Sequence, residues 1–143
     1  MTYTLTPFIM LDGNAGEAVE FYEQALGAVV VFKQTFGEAP ADPQHPVPEG
    51  IKSRLAHSVL KVGGADLFVA DFSPGQANRS GNQVNICITA PTREEAERLY
   101  GNLLEGGQVL IPLQPVHFSP AYGMVTDKFG VTFQIFAKRE AAV

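Results

Sequence analysis

Two stretches of this 143-residue chain, "NAGEAVEFYEQALG" at 14–27 and "TREEAERLYGNLLEG" at 92–106, follow one plan, and that repetition limits the fold more than any other feature. In the first, Ala18, Phe21, Tyr22, Ala25 and Leu26 recur at the i, i+3, i+4, i+7, i+8 spacing of one helical face. Asn14 stands at the cap position, Glu17 suits a capping box, and Gly27 suits the left-handed turn that ends a helix. In the second, Thr92 is the cap, Glu95 holds the box position, and Ala96, Leu99, Tyr100, Leu103 and Leu104 form the face. The caps lie 92 − 14 = 78 residues apart.

The flanks repeat as well. "YTLTPFIML" and "NQVNICITA" precede the helices, and "AVVVFKQTF" and "QVLIPLQPV" follow them, all rich in the branched and aromatic residues that favour strands. Two further strands complete each half: "SRLAHSVLKV" and "ADLFVADF" joined by Gly63-Gly64, then "AYGMVTD" and "VTFQIFAK" joined by Lys128, Phe129 and Gly130. The pattern is βαβββ written twice, over about residues 3–72 and 83–138, which predicts an α+β chain forming a single domain of two repeats. Residues 37–50, with four prolines, read as a long surface loop, and residues 73–82 as the linker between halves.

Charge narrows the partners. With 10 basic against 15 acidic residues and no basic cluster along the sequence, the net charge of −5 opposes binding to a phosphate backbone, so nucleic acid is excluded. No apolar run approaches the ~20 residues that span a bilayer, and the first residues lack a basic segment before a long apolar core. A soluble cytoplasmic protein without a membrane partner is expected. The single cysteine, Cys87, lies in the apolar run "VNICITA", where a small buried hydrophobe is expected rather than a reactive thiolate.

The phrases "LTPFIMLDGNAGEAVEFYEQALGA", "HSVLKVGGADLFVAD" and "YGMVTDKFGVTFQIF" resemble the vicinal oxygen chelate superfamily of glyoxalase I, bleomycin-resistance proteins and extradiol dioxygenases. Within it they are most similar to the PhnB-like group, labelled by likeness to 3-demethylubiquinone methyltransferase. The resemblance implies a curved mixed sheet built from both βαβββ modules, with helices on the convex side and a ligand on the concave side. It also implies a homodimer and, in many members, a divalent metal. The family's ligand positions, on the first strand of each module and on a late strand, fall at Pro7, Asn85 and Gln134 of this sequence. Proline has no side-chain donor and the two amides offer only neutral oxygens, whereas transition metals are held by imidazole, thiolate and carboxylate. No metal is expected at these positions, and no cofactor.

Gln134 keeps the length and polarity of a glutamate without its charge. By strand alternation it shares a face with Thr132 and Phe136, and Asn85 shares one with Gln83, Cys87 and Thr89. A ligand contact and a hydrogen bond across the sheet are both open to these amides. His57, beside Leu55 and Val59, matches the histidine that opens this strand in PhnB-like sequences and is the best candidate for a pocket role; a hydrogen-bonded core histidine is the alternative. His45 is expected in solvent, His117 near the second hairpin, and Asp66 and Asp71 are expected at solvated strand ends. Phe8, Phe68, Phe118, Tyr122 and Phe136 are candidates to line an apolar pocket or to form plain core. Where the relatives carry "WGDRYG" this chain has "FSPAYG", which removes two charged groups.

The expected ligand-binding set is therefore His57, Asn85, Phe118, Tyr122 and Gln134, serving a small organic molecule. The expected function is metal-free binding of the glyoxalase/bleomycin-resistance type. The alternative is a lyase or oxygenase with a rearranged metal or acid–base site involving His57. Methyl transfer finds little support, since "LDGNAGEA" reads as a helix cap rather than a nucleotide-binding turn.

Overall fold

The computed structural model describes residues 2–73, 75–76 and 78–139. The chain divides into two compact units, residues 1–79 and 80–143. The first contains β1 (Phe8–Leu11), α1 (Ala15–Leu26), β2 (Val29–Thr35), a short 3-10 turn at Glu49–Ile51, β3 (Leu55–Val62) and β4 (Ala65–Asp71). The second contains β5 (Ile86–Ala90), α2 (Arg93–Leu104), β6 (Gln108–Val116), β7 (Ser119–Thr126) and β8 (Thr132–Ala137). The sheets have matching orders, β1-β4-β3-β2 and β5-β8-β7-β6, and in each the outer pair β1/β4 or β5/β8 is parallel while the rest are antiparallel. The α+β class and the doubled βαβββ plan hold.

Each helix covers one face of its own sheet. In α1, Ala15, Ala18, Val19, Tyr22 and Ala25 are buried, and Ile9, Leu60, Leu67 and Val69 are among the buried residues of the first sheet. In α2, Ala96, Tyr100 and Leu103 are buried, as are Ala121, Val125, Phe133 and Ile135 of the sheet on which it packs. Alternation then turns Tyr122, Met124, Gln134 and Phe136 away from α2 and leaves them half-buried. No helix among the described residues is long and apolar enough to cross a membrane.

The helix ends show two capping solutions. The hydroxyl of Thr92 accepts from the N–H of Glu95 at 3.2 Å, as expected, and Gly27 adopts φ 68° with its N–H on the Tyr22 carbonyl. Asn14 occupies the cap position of α1 without a side-chain cap bond. Asp71 serves instead: its Oδ1 accepts from Gly13 N at 2.7 Å and Ala15 N at 3.1 Å, and its Oδ2 from Leu55 N at 2.9 Å. It is 2% exposed, which corrects the expectation of a solvated strand-end aspartate. Desolvating a carboxylate is tolerable only when its charge meets several donors, and three N–H groups supply them.

Other expectations also shift. β1 starts later than its apolar run because Pro7 lacks an N–H, and its ladder opens with Phe68 N on the Pro7 carbonyl at 3.0 Å; β5 also starts late, at Ile86. In β6, Pro112 and Pro115 are accommodated on an edge strand with three register shifts against β7. Gly123 is required by a close approach: a Cβ there would sit 2.7 Å from the Tyr100 ring and 3.0 Å from the Ile111 carbonyl oxygen.

Candidate functional site

On the face of the second sheet opposite α2, three of the expected residues form one hydrogen-bonded chain. Cys87 and Gln134 are register partners across β5/β8, which brings Asn85, just before β5, alongside β8. The Tyr122 hydroxyl donates to Gln134 Oε1 at 2.8 Å, and Gln134 Nε2 donates to Asn85 Oδ1 at 2.8 Å. The chain ends on the Asn85 amide nitrogen, which donates to no group among the described residues. Phe118 packs beside it, its ring centroid 5.2 Å from Tyr122 and 6.4 Å from Phe136. Of the two roles open to Gln134 in the sequence, the hydrogen bond across the sheet is present: both polar ends are satisfied within the sheet, and the residue sits among half-buried aromatics.

Residue Cys87 lies on this face and is exposed, which corrects its assignment as a buried hydrophobe. Partial desolvation nonetheless pushes its thiol above the ordinary value, so it is protonated at neutral pH and is a poor nucleophile. The hydroxyls of Thr126 and Thr132 add a polar pair at 3.2 Å.

His57 belongs to the other unit. It is half-buried on the face of the first sheet opposite α1, surrounded by Phe8, Phe68 and Phe32 with centroid separations of 5.8, 5.2 and 6.2 Å. Its neighbours are rings rather than carboxylates. Phe8 and Phe68 are direct register partners, and Phe32 arrives because β2 pairs Gln34 with His57. Of the expected set, the structure brings Asn85, Phe118, Tyr122 and Gln134 together within the second unit and sets His57 in an aromatic cluster of the first. His45 is exposed and bonds Asp42 at 2.9 Å, and Asp66 is half-exposed and paired with Lys61 at 2.5 Å.

Two contributions escaped sequence reading. Tyr122 as the donor to Gln134 follows from the β7/β8 register, in which Met124 opposes Gln134 and Tyr122 opposes Phe136, so the two polar side chains meet diagonally. Phe32 beside His57 follows from the β2/β3 register. Each needed a pairing that no local pattern prints.

The donor chemistry does not fit the metal centre common in this fold. Both amide oxygens already accept hydrogen bonds from within the protein, and Pro7 contributes only a backbone carbonyl taken by Phe68 N. A cation would have to displace these donors and would gain neutral oxygens only. Among the described residues, no group of three or more His, Cys, Asp or Glu side chains is placed to hold a metal ion.

A doubled βαβββ module with aromatic and polar residues on the sheet face away from each helix is the architecture of the glyoxalase/bleomycin-resistance/dioxygenase class, the vicinal oxygen chelate proteins. A glyoxylase/bleomycin resistance protein/dioxygenase domain from Frankia sp. EAN1pec matches with a TM-score of 0.67 over 97% of this chain and 99% of its own, at 10% identity, a likeness of fold alone. The sequence profile of the 3-demethylubiquinone-9 3-methyltransferase family matches residues 3–136, and the chain belongs to that family. Protein YjdN of Escherichia coli K12 is 31% identical over 138 residues, covering 92% of each chain. The crystal structure of protein PA1353 from Pseudomonas aeruginosa matches with a TM-score of 0.86 at 30% identity, over 97% of this chain and 100% of that one.

Proposed function

We propose that this protein is a cytoplasmic small-molecule binding protein that uses its sheet faces without a metal at the positions common in its superfamily. The observation that carries the reading is the Tyr122–Gln134–Asn85 chain, a neutral hydrogen-bonded array that takes in Asn85 and Gln134, two of the positions at which the resemblance to the superfamily implies metal ligands. Apolar walls with a few fixed polar groups suit small organic compounds, and Phe118 and Phe136 supply walls beside this array. The His57 cluster with Phe8, Phe32 and Phe68 offers a second set of aromatic walls. The proposal takes residues 1–143 as one domain of two repeats, and as a homodimer whose contacts draw on apolar side chains of the edge strands, Val29 and Val31 of β2 and Val109 and Leu110 of β6.

The methyl transfer named in the family's description is not carried over. Gly13 N and Ala15 N, which a nucleotide-type cofactor would need at the first strand-to-helix turn, are engaged by Asp71.

Metal analysis of protein purified without chelator tests the reading. The expected result is far less than one transition-metal ion per chain. Gln134→Glu should also fail to create tight sites for Ni, Zn or Mn by calorimetric titration, because Pro7 and Asn85 remain poor donors. A stoichiometric, firmly held ion in the wild-type protein would overturn the proposal.

A further inference from the structure

The two modules treat the start of their helices differently, and the difference lies in a single strand position. Phe72 N donates to Leu11 O at 2.7 Å, and Lys138 N donates to Ala90 O at 2.9 Å, which marks equivalent points in the two sheets. The residues just before, Asp71 and Ala137, therefore correspond. In the first module the Asp71 carboxylate fills the space at the start of α1 and accepts from Gly13 N, Ala15 N and Leu55 N. The chain's own anion occupies that place.

In the second module the Ala137 side chain offers no acceptor. Ser119 takes over one duty: its Oγ accepts from Ala121 N at 3.2 Å and donates to Ala137 O at 2.6 Å. Thr92 Oγ1 takes Glu95 N. No carboxylate among the described residues serves Arg93 N, the counterpart of Ala15 N. Beside it opens a pocket of about 600 Å³, bordered by Arg93, Glu94, His117, Lys138 and Arg139 among others. Lys138 and Arg139 have no carboxylate partner among the described residues, and Arg93 has only the exposed Glu97, at 3.5 Å. Three cations against Glu94 give 3 − 1 = +2 before His117 is counted, in a chain whose net charge is −5.

We propose that this pocket binds a small dianionic oxyanion, the phosphate of a low-molecular-weight phosphate monoester or inorganic phosphate itself. The first module shows within the same chain what this position accepts: a negatively charged oxygen group on the helix's first N–H groups. The second module replaces that built-in carboxylate with a methyl group, opens a cavity and borders it with Arg93, Lys138 and Arg139, of which only Arg93 has a carboxylate partner among the described residues. Arg93, Lys138 and Arg139 supply charge-assisted hydrogen bonds, Arg93 with the planar fork that phosphate oxygens match. The cavity exceeds a bare phosphate, which leaves room for the organic part of a monoester. None of these pocket residues belongs to the Tyr122–Gln134–Asn85 array, so this site stands apart from the function proposed above.

Titration of the full chain followed by backbone NMR, at constant ionic strength with chloride as the reference anion, tests the proposal. The probes are inorganic phosphate and glycerol 3-phosphate. The expected result is saturable shifts of the Arg93 and Glu94 amides, and weakening by about tenfold or more in Lys138→Gln/Arg139→Gln, whose exposed positions leave folding intact. Tighter binding of the monoester identifies an organic phosphate as the ligand class; equal binding identifies inorganic phosphate. Shifts that do not saturate with either probe, or binding unchanged in the double variant, would overturn the proposal.

Discussion

Asp71→Ala is expected to lower the stability of the protein by roughly 3–5 kcal/mol, the largest effect of any single polar substitution in the first module. The carboxylate is 2% exposed and serves three backbone donors drawn from two separate segments, the β1–α1 loop running into the first residue of α1, and the first residue of β3. Removing it leaves those N–H groups with a methyl group as neighbour, and each desolvated donor without a partner costs about 1–3 kcal/mol, least at Gly13, where the bond is only part-buried. Against a typical total of 5–15 kcal/mol this is a large fraction, read as a fall of roughly 2 M in the urea midpoint. Asp71→Asn separates the contributions. Its carbonyl oxygen can still accept from Gly13 N and Ala15 N, but its NH2 then faces the Leu55 N–H, donor against donor. The asparagine variant should therefore fall between wild type and alanine. An alanine variant with an unchanged midpoint would mean that these donors find other partners, and that Asp71 does not fasten the helix start to the sheet.

This residue also marks where sequence reading stopped. Helix faces, stops and the cap at Thr92 are local, and α1, α2 and β6 fall within a residue of where periodicity and punctuation place them. Local signals end at contacts between distant segments. The partners of Asp71 lie 58, 56 and 16 residues away, so nothing near "VADF" announces them. Cys87 fails for a related reason. In "NICITA" apolar residues occupy both faces, and alternation alone does not say which face the helix covers; Ala90 turns out to be the buried one. For the site, alternation correctly grouped Gln134 with Phe136 and Asn85 with Cys87. The bond that joins the two amides required the β5/β8 register, and the hydroxyl that completes the array required β7/β8.

Leu103→Asp is expected to be the most damaging change in the second module. Leu103 is fully buried on the face of α2 that packs against β7 and β8, where the core residues Val125, Phe133 and Ile135 carry no polar side-chain atoms. Two costs add. The buried leucine contributes roughly 2 kcal/mol of apolar transfer, and an aspartate in its place has to be protonated or turned out into solvent, pulling the helix with it. The second cost matches or exceeds the first, giving roughly 4–5 kcal/mol and a fall in Tm on the order of 10–15 °C. Leu103→Met keeps volume and apolarity and should cost less than about 1.5 kcal/mol, which separates loss of packing from burial of charge. Both variants are read by thermal unfolding followed by circular dichroism. Because β8 also carries Gln134, the aspartate variant should weaken ligand binding at the sheet face beyond the fraction of protein unfolded, whereas the methionine variant should bind as wild type does. Equal melting curves for all three proteins would show that this helix face does not bear on the sheet.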